Sequence, residues 1–249
     1  MFALLRGAVV AVSVALGTFV FGSVCIIAAI LRLPDRPGSP YDWAPRYWGR
    51  VQLWFGGVRV VEHGLEHKAG ARHIFVANHL GNFDIFALAS VLPWMKFVAK
   101  AELFRIPIMG PAMVRAGMIP VERANRKQSF QSYREAQARI DAGASVTVYP
   151  EGTRGSAYAL RPFKKGPFVL AIQAQAPIVP VFVHGVLEIQ RKRQFRVRPG
   201  TIHVHYLPAI PTAGLTYDDR TTLARRAYEA MAACAEREYG VVSPPFVGR

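Results

Sequence analysis

The sequence predicts an α/β domain: a central, mostly buried sheet flanked by helices, behind an N-terminal hydrophobic membrane-anchoring helix. Three observations carry that prediction. From about residue 57 onward, short Val/Ile/Phe-rich runs alternate with longer segments of helical character, the pattern of strands and helices packed in layers. Several of those runs are continuously apolar, as strands covered on both faces are. Finally, residues 7–31 hold no charged side chain, although the chain carries 31 Lys and Arg against 16 Asp and Glu.

The uncharged stretch comes first. As a helix it would span roughly 37 Å at ~1.5 Å per residue, enough to cross a ~30 Å hydrocarbon core with tilt. Apolar regions of signal peptides are shorter, about 7–15 residues, and no convincing cleavage site precedes Leu31-Arg32-Leu33-Pro34. A retained anchor is therefore expected. Arg6 stands on its N-terminal side, and Arg32, Arg36, Arg46 and Arg50 on the other. If the helix spans, that asymmetry puts residues 32–249 in the cytoplasm. Trp43, Tyr47, Trp48, Trp54 and Phe55, interleaved with Arg46 and Arg50, read as a second helix in the headgroup region. A helical hairpin dipping into one leaflet would use the same residues. Residues 1–56 are assigned to the anchor and 57–249 to the main domain. Between the two apolar helices, residues 34–42 read as a linker or turn.

Strands are expected at Val58–Val61, His73–Ala77, Lys96–Ala99, Met118–Val121, Ser145–Tyr149, Ile178–Val183 and Thr201–Tyr206. Helices are expected at Phe83–Val91, Lys127–Ala142, Gly166–Gln175 and Asp219–Tyr239. The two long ones end at Gly143 and Gly240, where a left-handed cap residue belongs.

Composition narrows the function. At 51% hydrophobic, the chain is excluded from the disordered class. Cys25 and Cys234 cannot make a disulfide framework, which fits a reducing compartment. A net charge of +15 points to nucleic acid or an anionic membrane as partner. The run Ile189-Gln190-Arg191-Lys192-Arg193-Gln194-Phe195-Arg196-Val197-Arg198 could follow a phosphate backbone. A nucleic-acid binder has no use for a membrane-length anchor, however, so the run is expected to be an exposed loop and strand edge facing anionic lipid.

Three blocks could carry chemistry. Asn78-His79-Leu80-Gly81-Asn82-Phe83-Asp84 lies where a buried strand ends and a helix begins. On such a turn His79 could receive Asp84 from the first helical turn, fixing the tautomer and leaving the other nitrogen as a base. Read alone, the block also fits a helix-capping histidine beside a solvated carboxylate. Pro150-Glu151-Gly152-Thr153-Arg154 sits at another strand end. Gly152 admits a close backbone approach, Thr153 offers a hydroxyl and Arg154 a planar fork, which together suit a phosphate. Lys164 and Lys165 add ammonium groups at a helix start, where the macrodipole also favours an anion. Singly, each is a turn or a solvated basic face. In Gly117-Met118-Ile119-Pro120-Val121-Glu122-Arg123 a strand delivers Arg123, and an ion pair of Glu122 is the plain account.

With Pro177-Ile178-Val179-Pro180-Val181, which can only shape or pack a site, these blocks stand in the order and rough spacing of the glycerolipid acyltransferases. Over about residues 55–210 the chain most closely resembles the 1-acyl-sn-glycerol-3-phosphate (lysophosphatidate) acyltransferases. The resemblance implies transfer of an acyl group from acyl-CoA or acyl carrier protein to a lysolipid hydroxyl, on a membrane and with no cofactor or metal. It casts His79 as general base, oriented by Asp84, with no covalent acyl-enzyme. It assigns Arg123 and the block Glu151, Gly152, Thr153 and Arg154 to the glycerol phosphate, with Asn78, Lys164 and Lys165 in support. A carboxylate repels a phosphate, so Glu151 is expected to orient Arg123 or Arg154, or to form a structural pair. Gly81, Glu122 and Tyr149 stand where Ser, Asp and Phe are frequent. The acceptor implied is lysophosphatidate, with another lysophospholipid, glycerol 3-phosphate or an aminolipid as alternatives.

Other chemistries find less support. There is no Gly-x-Ser-x-Gly elbow, and neither cysteine has a neighbouring histidine. His203 and His205 share a strand face but lack a Cys or carboxylate cluster, so packed or surface histidines are expected instead of metal ligands.

Overall fold

A computed structural model describes residues 1–70, 72–122 and 126–248, with the side chains of residues 126–131 outside the description. In chain order the elements are α1 (Phe2–Ile30), α2 (Pro40–Gly56), β1 (Val58–His63), β2 (Ile74–Ala77), α3 (Asn82–Val91), β3 (Met95–Lys100), α4 (Met109–Arg115), β4 (Ile119–Val121), α5 (Arg126–Asp141), β5 (Ser145–Val148), α6 (Gly166–Ala174), β6 (Ile178–His184), α7 (Val186–Ile189), β7 (Gly200–Tyr206) and α8 (Arg220–Tyr239).

The strands form one sheet in the order β1-β7-β6-β2-β5-β3-β4. All pairings are parallel except β6 with β7. Strands β2 and β5 are buried at every position, which is why they read as unbroken apolar runs. Side chains of β2, β5 and β6 alternate between two cores. Ile74, Val76, Val146 and Val148 face a layer from α5, α6 and α8 that includes Ile140, Phe168 and Met231. Phe75, Ala77, Val179 and Val181 face Leu53, Phe83 and Phe86 of α2 and α3. Gly143 (φ +100°) and Gly240 (φ +65°) take the left-handed conformation expected of helix caps.

Helix α2 starts inside the stretch read as a linker. Ser39 and Pro40 supply its N-cap and first position. Asp42 then ties it down, accepting from the backbone N–H of Gly38 (2.8 Å) and Trp94 (2.6 Å) and pairing with Arg46 (3.0 Å).

Among the described residues, α1 is the one helix long and apolar enough to cross a membrane. Its inward stripe is built largely of small residues, including Gly7, Ser13, Gly17, Gly22 and Ala28, which allow close backbone approach. Ser13 and Gln52 exchange hydrogen bonds between α1 and α2 (2.6 and 3.2 Å), and Trp48 Nε1 donates to Thr18 (3.2 Å). Val12, Leu16, Phe19, Val20 and Ile27 on the outer face are exposed. Both ends of α1 are tied to the same α/β domain. Near its start, Val197 N–H donates to Ala3 O (2.9 Å). Just beyond its end, Asp35 accepts from Trp94 Nε1 (2.7 Å) and pairs with buried Lys96 (2.8 Å).

Candidate active site

Strand β2 delivers Asn78, which is locked in place. Its Nδ2 donates to Val183 O (3.0 Å) and its Oδ1 accepts from Val183 N–H (2.7 Å). The amide thus continues the β2–β6 ladder one residue further and sets the height at which the chain turns. His79, Leu80 and Gly81 make that turn, and Asp84 follows in the first turn of α3. Oδ2 of Asp84 accepts the backbone N–H groups of Leu80 (2.7 Å) and Gly81 (2.8 Å), the reach-back of a capping carboxylate. Nδ1 of His79 lies 3.0 Å from Oδ1 and 3.1 Å from Oδ2 of Asp84. Asp84 is 0% exposed and His79 12% at the side chain. The carboxylate is therefore buried and paired instead of solvated. A carboxylate can only accept, so a neutral imidazole in this place donates from Nδ1 and leaves the lone pair on Nε2.

The block after β5 wraps the same turn. Tyr149 stacks its ring on the imidazole, with centroids 4.1 Å apart and planes at 20°. Glu151 Oε1 accepts from the backbone N–H of His79 (3.4 Å), and Gly155 N–H donates to His79 O (2.7 Å). Gly152 makes the intervening turn at φ +71°, where side chains are rarely accommodated. Of the arginines expected to pair with Glu151, Arg123 lies outside the described residues and Arg154 is not bonded to it. Arg154 Nη1 donates instead to Asn82 Oδ1 (3.1 Å). Burial pushes the Glu151 carboxyl up to about 8, the charge of Asp84 adding to the effect while the His79 N–H and Arg161 oppose it. A shift in this direction reduces the negative charge that Glu151 carries near neutral pH.

Two cavities meet here. The larger, about 560 Å³, has a polar end at His79, Asn82, Thr153, Arg154, Lys100 and Lys192. Its remainder is apolar, running between Phe21, Gly22 and Cys25 of α1, Trp48 of α2, Phe86 of α3 and Ala112, Met113 and Met118. The smaller, about 360 Å³, is lined by Lys100, Glu151, Gly152, Thr153, Arg161, Pro162 and Lys164. Lys100 and Thr153 border both.

Residues 59–184, half of the chain, match the sequence model of the Acyltransferase family. The chain belongs to that family. It is 37% identical over 172 residues to a 1-acyl-sn-glycerol-3-phosphate acyltransferase of Limnanthes alba, covering 68% of this chain and 61% of that protein. It is 35% identical over 178 residues to the Homo sapiens 1-acyl-sn-glycerol-3-phosphate acyltransferase alpha, covering 70% and 63%. The matched region thus spans about three fifths of the length of these relatives. The fold is that of a solved 1-acyl-sn-glycerophosphate acyltransferase, PlsC, of Thermotoga maritima. The TM-score is 0.78 at 22% identity, over 97% of this chain and 98% of that one.

The remaining expected site residues of this acyltransferase-family chain separate. Gly152, Thr153, Arg154 and Lys164 gather at the two cavities. Lys165 lines neither and precedes α6 as its N-cap. Arg123 lies outside the described residues. Lys100, Arg161 and Lys192 were not singled out as site residues from the sequence. Lys100 ends β3, and Arg161 and Lys192 stand on loops whose routes only the fold defines. Their one sequence signal was positive charge, shared with every other basic residue. His203 bonds to His63 (3.1 Å) and His205 to the Tyr239 hydroxyl (2.7 Å), a packed arrangement.

Proposed function

We propose that this protein transfers an acyl group from an acyl thioester, acyl-CoA or acyl carrier protein, to the sn-2 hydroxyl of 1-acyl-glycerol 3-phosphate, giving phosphatidic acid. The observation that carries the reading is His79, bonded through Nδ1 to buried Asp84, at the junction of a cationic pocket and an apolar cavity. Nε2 takes the proton of the acceptor hydroxyl as its oxygen attacks the thioester carbonyl. The tetrahedral intermediate collapses with cleavage of the C–S bond, and the imidazolium returns the proton to the departing thiolate. General-base catalysis of this kind contributes about 10²–10⁴-fold, and alignment of the two substrates supplies much of the rest.

Lys100, Arg161 and Lys164, with the Gly152–Thr153 turn, hold the acceptor phosphate in the smaller cavity. Thr153 and Arg154 adjoin it at the mouth of the larger one, and Arg123 belongs to the same task. The apolar cavity takes an acyl chain. Since α1 touches one domain at both ends, it and α2 dip into a single leaflet, with Trp54 and Phe55 at its surface. Both ends of such a hairpin lie on one face, so Arg6, Arg32, Arg36, Arg46 and Arg50 are all kept there, which favours the cytoplasmic face, and the basic segment 191–198, bonded to the start of α1, meets anionic headgroups.

The reading is tested by offering the purified protein one acyl donor with lysophosphatidate, other lysophospholipids, glycerol 3-phosphate or an aminolipid. Products are identified by mass spectrometry. Phosphatidic acid is the expected dominant product; acylation of another acceptor with lysophosphatidate left untouched would overturn the acceptor assignment and keep the chemistry.

A further inference from the structure

Within the basic segment 191–198, Arg191, Arg193, Arg196 and Arg198 are exposed, whereas Lys192 is half-buried. The backbone turns it inward. Arg198 N–H donates to Ile189 O (2.9 Å) and closes the segment into a loop. Inside that loop Gln194 N–H donates to Arg191 O (3.0 Å), and Arg193 takes a left-handed φ of +63°, which few residues other than glycine adopt. Val197 N–H, bonded to Ala3 O (2.9 Å), fixes the far side of the loop to α1. Lys192 thereby reaches the polar end of the larger cavity, which it lines with His79 and Asn82. There its Nζ donates to Arg154 O (2.8 Å). The same carbonyl accepts Nη1 of Arg161 (3.4 Å), a residue of the smaller cavity. One cation from each cavity thus meets at a single oxygen, and their two nitrogens lie no farther apart than those two distances added together.

We propose that Lys192 is a further substrate-binding residue, its ammonium joining Arg161 on the phosphate of the lysolipid acceptor. This rests on the reading of the reaction as acyl transfer to lysophosphatidate. An ammonium has three N–H donors; the neutral carbonyl occupies one and leaves the charge uncompensated, which suits a point-charge contact to phosphate. The acyl donor carries a phosphate too, but the long pantetheine arm separates it from the thioester. In the acceptor, adjacent glycerol carbons carry the reacting hydroxyl and the phosphate. With that hydroxyl at His79, the acceptor phosphate falls among the cations that share the end of the cavity with the imidazole, and the donor phosphate lies beyond them.

The test is Lys192→Gln, assayed in neutral detergent micelles so that a lost charge cannot act through an anionic surface. KM for lysophosphatidate is expected to rise about 10-fold, with kcat and KM for the acyl donor changed by less than about 2-fold. Lys192→Arg, which keeps the charge, is expected to recover most of the loss. A rise confined to the donor overturns the proposal. So does a loss taken in kcat with KM unchanged, the mark of a merely structural hold on the Arg154 turn. Equilibrium binding of lysophosphatidate in the same micelles, with no donor present, separates this claim from the reaction. If the wild type binds lysophosphatidate without acylating it, the proposed reaction fails, and weaker binding by Lys192→Gln still supports the contact. Equal binding by the two proteins, or none by the wild type, overturns it.

Discussion

Oε1 of Glu151 accepts the backbone N–H of His79 at 3.4 Å, joining two motifs that lie 72 residues apart in the chain. The buried carboxyl titrates near 8 in the fold against an ordinary value of 4.5. Between those values the folded protein holds a proton that the unfolded chain releases, so stability is full below about 4.5 and is lost as pH rises toward 8. Glu151→Gln removes that dependence. In thermal unfolding across the window, the wild-type Tm is expected to fall with pH more steeply than that of the variant; parallel curves would show that the carboxyl is not held protonated.

The smaller cavity gives a second prediction. Arg161 and Lys164 face it together with Lys100, and a charge-assisted hydrogen bond contributes about 1.5–3 kcal/mol. Arg161→Gln or Lys164→Gln is therefore expected to raise KM for lysophosphatidate about 10-fold or more. KM for the acyl donor should change little. Kinetics with each substrate varied in turn decide this, and a rise confined to the donor would reverse the assignment of the cavity.

Lys96 tests how the segment after α1 is seated on the α/β domain. Its side chain is 0% exposed, and its ammonium pairs with Asp35 (2.8 Å) and donates to Ala116 O (2.9 Å). Burial lowers its pKa, with Asp35 opposing. Asp35→Asn leaves a buried ammonium without its counter-charge and is expected to cost about 3 kcal/mol. Adding Lys96→Met should recover part of the loss, because the uncompensated charge is gone. Denaturation of the single and double variants measures both; a double variant less stable than Asp35→Asn contradicts the role.

The sheet was legible because burial leaves a direct trace in sequence. Ile74–Ala77 and Ile178–Val183 are apolar at every position because both faces are covered. His79 and Asp84 stood out because they sit where a strand end meets a helix start, but the choice of a base over a helix-capping histidine came from the family resemblance. What tertiary packing alone decides left no such trace. Helix α4 is seven residues long and gains its contacts from α1. Arg161 reaches the smaller cavity by the path of a loop without regular secondary structure. Glu151 looked like a partner for arginine until its burial beneath His79 was visible. Lys164 and Lys165 are adjacent and chemically alike, and only the backbone turn before α6 aims one of them into the cavity.

The central claim is that His79, held by Asp84, is the base for acyl transfer to lysophosphatidate. The most direct measurement is kcat/KM for the purified, vesicle-reconstituted protein and its His79→Ala and Asp84→Asn variants, with thermal unfolding as the control for fold. Losses of about 10²–10⁴-fold in both variants, with folding retained, are the predicted result. Acyl transfer at the wild-type rate in folded His79→Ala would contradict it.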